Sequence, residues 1–126
     1  MNENKNIKKL FLISNQGLHP IENKLKRQFG SEINIEIITT GNVELNMRYA
    51  EFVAKKVNDV ILKNDIDEIF IVWSGMPIYN NVVYNVCKDS LNKNPIYLVW
   101  DKNVSKYVEF DINSRRLVFG EYYKEV

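Results

Sequence analysis

Three short segments carry the residue types from which a small anionic ligand could be gripped. The first, Ser14-Asn15-Gln16-Gly17-Leu18-His19-Pro20, gathers polar side chains around the one histidine of the chain. Asn15 and Gln16 offer amides, Gly17 lets backbone N–H groups approach a phosphate or ribose, and His19 has an ordinary pKa suited to proton transfer near neutrality. The second lies within Ile69 to Val83, IFIVWSGMPIYNNVV, where an apolar run passes through Ser74-Gly75-Met76 into a helical pattern. Such a strand, turn and helix start presents unpaired N–H groups that favour anions, and Asn80 or Asn81 just beyond it can read a base or sugar. In the third, Trp100 supplies a stacking surface and Lys102 a balancing charge, with Asp101 between them. Each residue also has a plainer reading: turn former for Ser14, Asn15 and Gly17, core for Trp100, solvated loop for Lys102, helix surface for Asn81.

Several familiar chemistries are discounted. One histidine and one cysteine do not make the usual zinc constellation, and HExxH, GxSxG and Walker sequences do not occur. The first turn lacks GxGxxG, so ordinary dinucleotide binding is not expected. Asp65, Asp67 and Glu68 cluster before the third apolar run, at the strand edge opposite the turns above, and read as a solvated turn and not as metal ligands. The chemistry left is metal-free binding of a small anion bearing bases.

The elements that must position these residues are legible as periodicities. Leu10 to Ser14, Ile35 to Thr39, Ile69 to Trp73 and Ile96 to Trp100 are near-continuous apolar runs, as expected of parallel strands buried on both faces. Between them lie three helical patterns. The first opens at Pro20, aligns Ile21, Leu25 and Phe29, and stops at Gly30. The second runs from about Asn42 to Asn64, with Val43, Met47, Ala50, Ala54, Val57 and Ile61 in one stripe toward the sheet. Leu45, Tyr49 and Phe52 form another stripe, to be covered either by a loop or by a second subunit. The third carries Tyr79, Val82, Val83, Val86 and Leu91, with Pro77 tolerable in its first turn. After Trp100, Tyr107 to Ile112 alternates, Asn113-Ser114 offers a turn, and Arg116 to Tyr122 returns as a strand. The order predicts an α/β fold, a Rossmann-like three-layer sandwich with a mainly parallel sheet and a C-terminal β-hairpin, in a single domain over 1–126. Parallel strands deliver their C-terminal turns to one edge, so the candidate segments should meet there.

Bulk composition narrows the partners. Seventeen Lys plus Arg against sixteen Asp plus Glu give a net charge of +1, far from the basic excess of a duplex nucleic-acid binder. Cys87 sits among Val82, Val83, Val86 and Leu91 and reads as a buried thiol, consistent with a reducing cytoplasm. Neither a membrane span nor a signal peptide is expected from the apolar runs.

The segments LFLISNQGLHPIENKLKRQFG, VWSGMPIYNNVV and NPIYLVWDK, with a long helix between the first two and a short terminal hairpin, resemble the small stand-alone CRISPR-associated Rossmann-like proteins related to CARF domains. The resemblance implies a homodimer, or a higher assembly, that binds a cyclic oligoadenylate second messenger of type III CRISPR antiviral defence, cyclic tetra-adenylate being the ring expected. It implies either cleavage as a metal-independent ring nuclease without cofactor or sequestration as a sponge. The ring would lie on the two-fold axis, held by Ser14, Asn15, Gln16, Gly17, Ser74, Gly75, Met76, Asn80, Trp100 and Lys102. Asn15 and Leu18 fit the family's first-turn pattern, whereas Gln16 stands where some members carry histidine. His19, Gln16 and Ser74 are the implied catalytic candidates, assisting attack of a ribose 2′-hydroxyl on the adjacent phosphate. Two other classes stay open: a non-catalytic binding or scaffold subunit, and a small nucleotide hydrolase using His19 and Asp101.

Overall fold

The computed structural model describes residues 8–17, 20–92, 94–111 and 116–118. The four apolar runs form strands β1 (Lys9–Gln16), β2 (Asn34–Thr40), β3 (Glu68–Val72) and β4 (Ile96–Asp101). They alternate with helices α1 (Ile21–Phe29), α2 (Met47–Lys63) and α3 (Pro77–Leu91). The sheet order is β2-β1-β3-β4 with every neighbour parallel, continued by β5 (Lys106–Asp111) antiparallel to β4 and by β6 (Arg116–Val118) antiparallel to β5. This is an α/β fold with a mostly parallel sheet, compatible with a Rossmann-like architecture. Ile112 and the turn Asn113-Ser114 lie outside the described residues, as does the stretch of the expected returning strand beyond β6.

Alternation along β1 divides the core in two. Phe11 and Ile13 point toward α1, where they meet Leu25, Phe70, Val72, Leu98 and Tyr107, while Leu10 and Leu12 point toward α2 and α3, where Val53, Val57, Ile61, Val83 and Cys87 cover them. Phe11 stacks on Phe70 at 4.9 Å between centroids and meets Phe29 of α1 at 5.1 Å. Each such buried ring contributes roughly 1.5–3 kcal/mol relative to exposure. The helices therefore occupy both faces of the sheet, one on the first and two on the second.

The chain moves from β1 outward to β2 under α1, then crosses back past β1 to β3 over α2 on the opposite face. Strand order reverses between β1 and β3. At such a switch point the adjoining connections diverge to opposite faces and leave a crevice at the carboxyl edge.

The second helix starts later than its periodicity suggests. Asn46 has an extended backbone (φ −155°) and its Oδ1 accepts a 2.8 Å hydrogen bond from Tyr49 N, so the N-cap lies there and 42–45 are loop. Val43 packs on the core from this loop, whereas Met47, placed by spacing in the sheet-facing stripe, is 73% exposed. Val53 joins Val57 and Ile61 in the buried face instead. Leu45 and Phe52 are exposed as well, and Tyr49 is half-buried against Tyr79. The Tyr79 hydroxyl donates to the Glu44 carbonyl, which ties the loop before α2 to the first turn of α3.

Candidate functional site

Beyond Ile13 and Val72 the β1–β3 ladder ends, and side chains stitch the two strands instead. Ser14 Oγ donates to Asn80 Oδ1 at 2.7 Å, and Asn15 N donates to Ser74 Oγ at 3.2 Å. Asn80 is the centre of this seam. It is 0% exposed; its Oδ1 also accepts from Ser74 N at 3.3 Å, and its Nδ2 donates to Ser74 O at 2.9 Å and Met76 O at 3.5 Å. One amide from the first turn of α3 thus closes the β3 turn on itself and clamps it to β1. Tyr97, whose hydroxyl burial holds well above the ordinary tyrosine range, donates to the Asn80 carbonyl and the Asn81 amide oxygen, 3.1 Å from each.

Two further contacts fix the β1 end. Thr39 Oγ1 lies 2.7 Å from Ser14 O and 3.0 Å from Asn15 Oδ1, and Asn15 Nδ2 reaches the Gly41 carbonyl at 3.3 Å. Gly75 adopts φ +62°, and a Cβ placed there would stand 2.8 Å from the Asn15 Cβ. Glycine is required at this position both for its backbone conformation and for the close approach of the two turns.

Above the seam opens a cleft of ≈ 470 Å³, lined by Asn15, Gly17, Ile21, Lys24, Trp73, Ser74, Gly75, Trp100 and Tyr107. Its size falls in the range of small-molecule sites, roughly 300–1,000 Å³. Polar groups of the β1 and β3 turns line one side of it and Trp100 with Tyr107 the other, while Trp73 borders it where β3 ends. Trp73 is 38% exposed and meets Tyr97 edge-on at 5.3 Å; Trp100 meets Tyr107 edge-on at 5.0 Å. Lys24, on α1, places its Nζ 4.2 Å from the Trp100 ring centroid. Burial pushes the Tyr107 hydroxyl up to about 12, so it stays protonated across the neutral range. The α1 wall is pinned to β5 by Gln28, whose amide accepts from Tyr107 N at 2.7 Å and donates to Tyr107 O at 3.0 Å.

The predicted residues separate into groups. Asn15, Gly17, Ser74, Gly75 and Trp100 line the cleft together. Ser14 and Asn80 lie beneath it, buried, and reach a ligand only by holding the turns. The Ser74 hydroxyl donates to Val72 O at 3.1 Å and accepts from Asn15 N, so it is committed to the turn. Gln16 ends β1 half-buried, its carbonyl accepting from Gly41 N at 3.4 Å. Met76 packs on the α2–α3 side of the sheet, and Lys102 is exposed in the β4–β5 turn; neither is among the residues lining the cleft. Asp101 caps that same turn through Asn103 N at 2.9 Å. Leu18 and His19 lie outside the described residues.

The cation in the cleft is Lys24 and not Lys102. Its signal was present in the chain: Lys24 follows Ile21 by three positions and precedes Gln28 by four, which sets the three on one flank of a short helix starting beside the first turn. Trp73 ends the apolar run in the sequence, but β3 ends at Val72, and the Trp73 indole packs edge-on against Tyr97, a residue of the α2–α3 side of the core. Asp67, at the opposite edge, accepts from Lys8 N at 2.8 Å and serves the start of β1. Among the described residues no helix is long and apolar enough to cross a membrane. No family model, curated protein or solved structure matches this chain.

Proposed function

We propose that the chain binds a cyclic oligoadenylate, with cyclic tetra-adenylate the first ring to test, and either cleaves it or holds it out of circulation. The observation that carries this reading is the convergence, at the strand-order switch point, of the Trp100 indole, Lys24 and the Ser74-Gly75 turn around one cleft. The indole face suits a base and the lysine suits phosphate. The sequence resemblance supplies the ring and its setting in type III CRISPR defence.

Two copies sharing one ring would each contribute such a cleft. A hollow lined by Glu44, Asn46, Arg48, Tyr49 and the exposed Phe52 offers apolar surface and both charges, as a two-fold contact needs. The occupant proposed for that face is a second copy of the chain.

Cleavage without metal would align a ribose 2′-hydroxyl with the neighbouring phosphate, expelling the 5′-oxygen and leaving a 2′,3′-cyclic phosphate. Positioning can drive that step without a strong general base. His19 is the side chain from which a general acid or base would come. Calorimetric titration with a panel of cyclic oligoadenylates, followed by chromatography of the products in excess chelator, separates the outcomes. Binding with a cyclic-phosphate product supports the nuclease, binding alone the sponge, and no binding to any ring refutes the proposal.

A further inference from the structure

We infer that Lys24 is a ligand-displaced cation: it rests on the Trp100 face, yields that face to a nucleobase, and turns to the phosphate the base carries. This rests on the nucleotide reading above and deepens it, naming the residue that tells an anionic nucleotide from its neutral nucleoside.

The geometry puts the three parts together. Lys24 Nζ lies 4.2 Å from the Trp100 centroid, well inside cation–π range. Trp100 is held on its other contact by Tyr107, the rings inclined at 70°, and Gln28 fixes the Tyr107 backbone, so the indole is the rigid partner. The four-carbon stem of Lys24 is the adjustable one. None of the described residues lining the cleft is acidic, and the lysine charge lies over an aromatic face. A phosphate oxygen would complement that charge.

The exchange runs toward the ligand on magnitude. A cation over a partly exposed indole is worth about twofold to fivefold in an equilibrium constant. A charge-assisted hydrogen bond to a phosphate is worth about tenfold or more, and the vacated indole gains a stacked base besides. Removing Lys24 must therefore act in opposite directions on charged and uncharged ligands. A side chain that merely supports the cleft would shift both the same way.

The test compares adenosine 5′-monophosphate with adenosine, titrated calorimetrically into the full chain and its Lys24→Ala and Lys24→Arg variants. Trp100 fluorescence in a Trp73→Phe background reports occupancy of that face. In Lys24→Ala the monophosphate should weaken about tenfold or more, while adenosine tightens about twofold to fivefold. Lys24→Arg should restore the monophosphate. Equal shifts of both ligands, no shift of either, or no binding of the monophosphate at millimolar concentration overturns the inference. A parallel titration with cyclic tetra-adenylate keeps the two claims apart. Ring binding unchanged in Lys24→Ala refutes the role of Lys24 and spares the ring reading; opposite shifts of the small ligands without ring binding do the reverse.

Discussion

Replacing Asn80 by leucine keeps the volume of the side chain and removes its polar atoms, which makes it the sharpest probe of the seam. Three groups lose partners in a buried setting: the Ser14 hydroxyl, the Ser74 N–H and the Ser74 carbonyl. The Met76 carbonyl, at 3.5 Å, loses little, and the hydrogen bond from Tyr97 to the Asn80 backbone survives. Each stranded group costs about 1–3 kcal/mol, and partial relaxation of the hydroxyl brings the sum to about 3 kcal/mol. A domain of this size has roughly 5–15 kcal/mol to lose, so the fold persists with a melting temperature lower by roughly 10 °C. Urea unfolding should show a lower midpoint with an unchanged slope, and a cycle with Ser14→Ala should return a coupling of about 1 kcal/mol. Because Asn80 shapes the Ser74 turn, ligand affinity should fall together with stability. A loss below about 0.5 kcal/mol would refute the assignment of the amide as the clamp between β1 and β3.

Gly75→Ala should destabilise by roughly 1–3 kcal/mol, read by the same unfolding assay, since φ +62° and the 2.8 Å approach to Asn15 Cβ both oppose a side chain; stability equal to the parent would contradict the turn geometry. Burial pushes the Cys87 thiol from 9.0 to about 12 and the Tyr107 hydroxyl from 10.0 to about 12. The folded state holds these protons, and that of the buried Tyr97 hydroxyl, more tightly, so these groups add no slope below about pH 9 and above it lower stability by on the order of 1 kcal/mol per pH unit for each group that has begun to ionise in the unfolded chain. Stability that rises across that window in a pH series of urea melts would reverse the sign. Phe52→Lys should turn a dimer into a monomer by sedimentation while leaving the melting temperature within a few degrees, because Phe52 is 52% exposed; a parent protein that sediments as a monomer with and without ring rules out that interface.

Much of the fold was written in local pattern. β-Branched and aromatic runs placed all four parallel strands to within one or two residues at each end, and Pro20 and Gly30 flank α1, although Gly30, at φ 112° and ψ 153°, is not the left-handed helical residue its position suggests. What pattern could not give was depth. Asn80 and Asn81 are neighbours of one type, yet one is wholly buried under the turns and the other exposed, a difference set by where α3 lands on the sheet. Gly75 reads in the sequence as room for a ligand, whereas its nearest neighbour is the Asn15 side chain. Helix periodicity also ran through the Asn42–Leu45 loop, because Val43 and Leu45 keep helical spacing while the backbone does not turn until Asn46 caps it. Lys24, a charged residue on a short helix, reads as solvent-facing in the sequence until β4 and β5 are brought beside it.

The central claim, that the switch-point cleft is a site for a cyclic adenylate, is tested most directly by calorimetric titration of the unaltered protein with cyclic tetra-adenylate while tryptophan emission is followed. The predicted result is saturable binding at one ring per two chains, with emission from Trp100 changing along the same isotherm. Absence of heat and of any emission change with every cyclic oligoadenylate tried would contradict it.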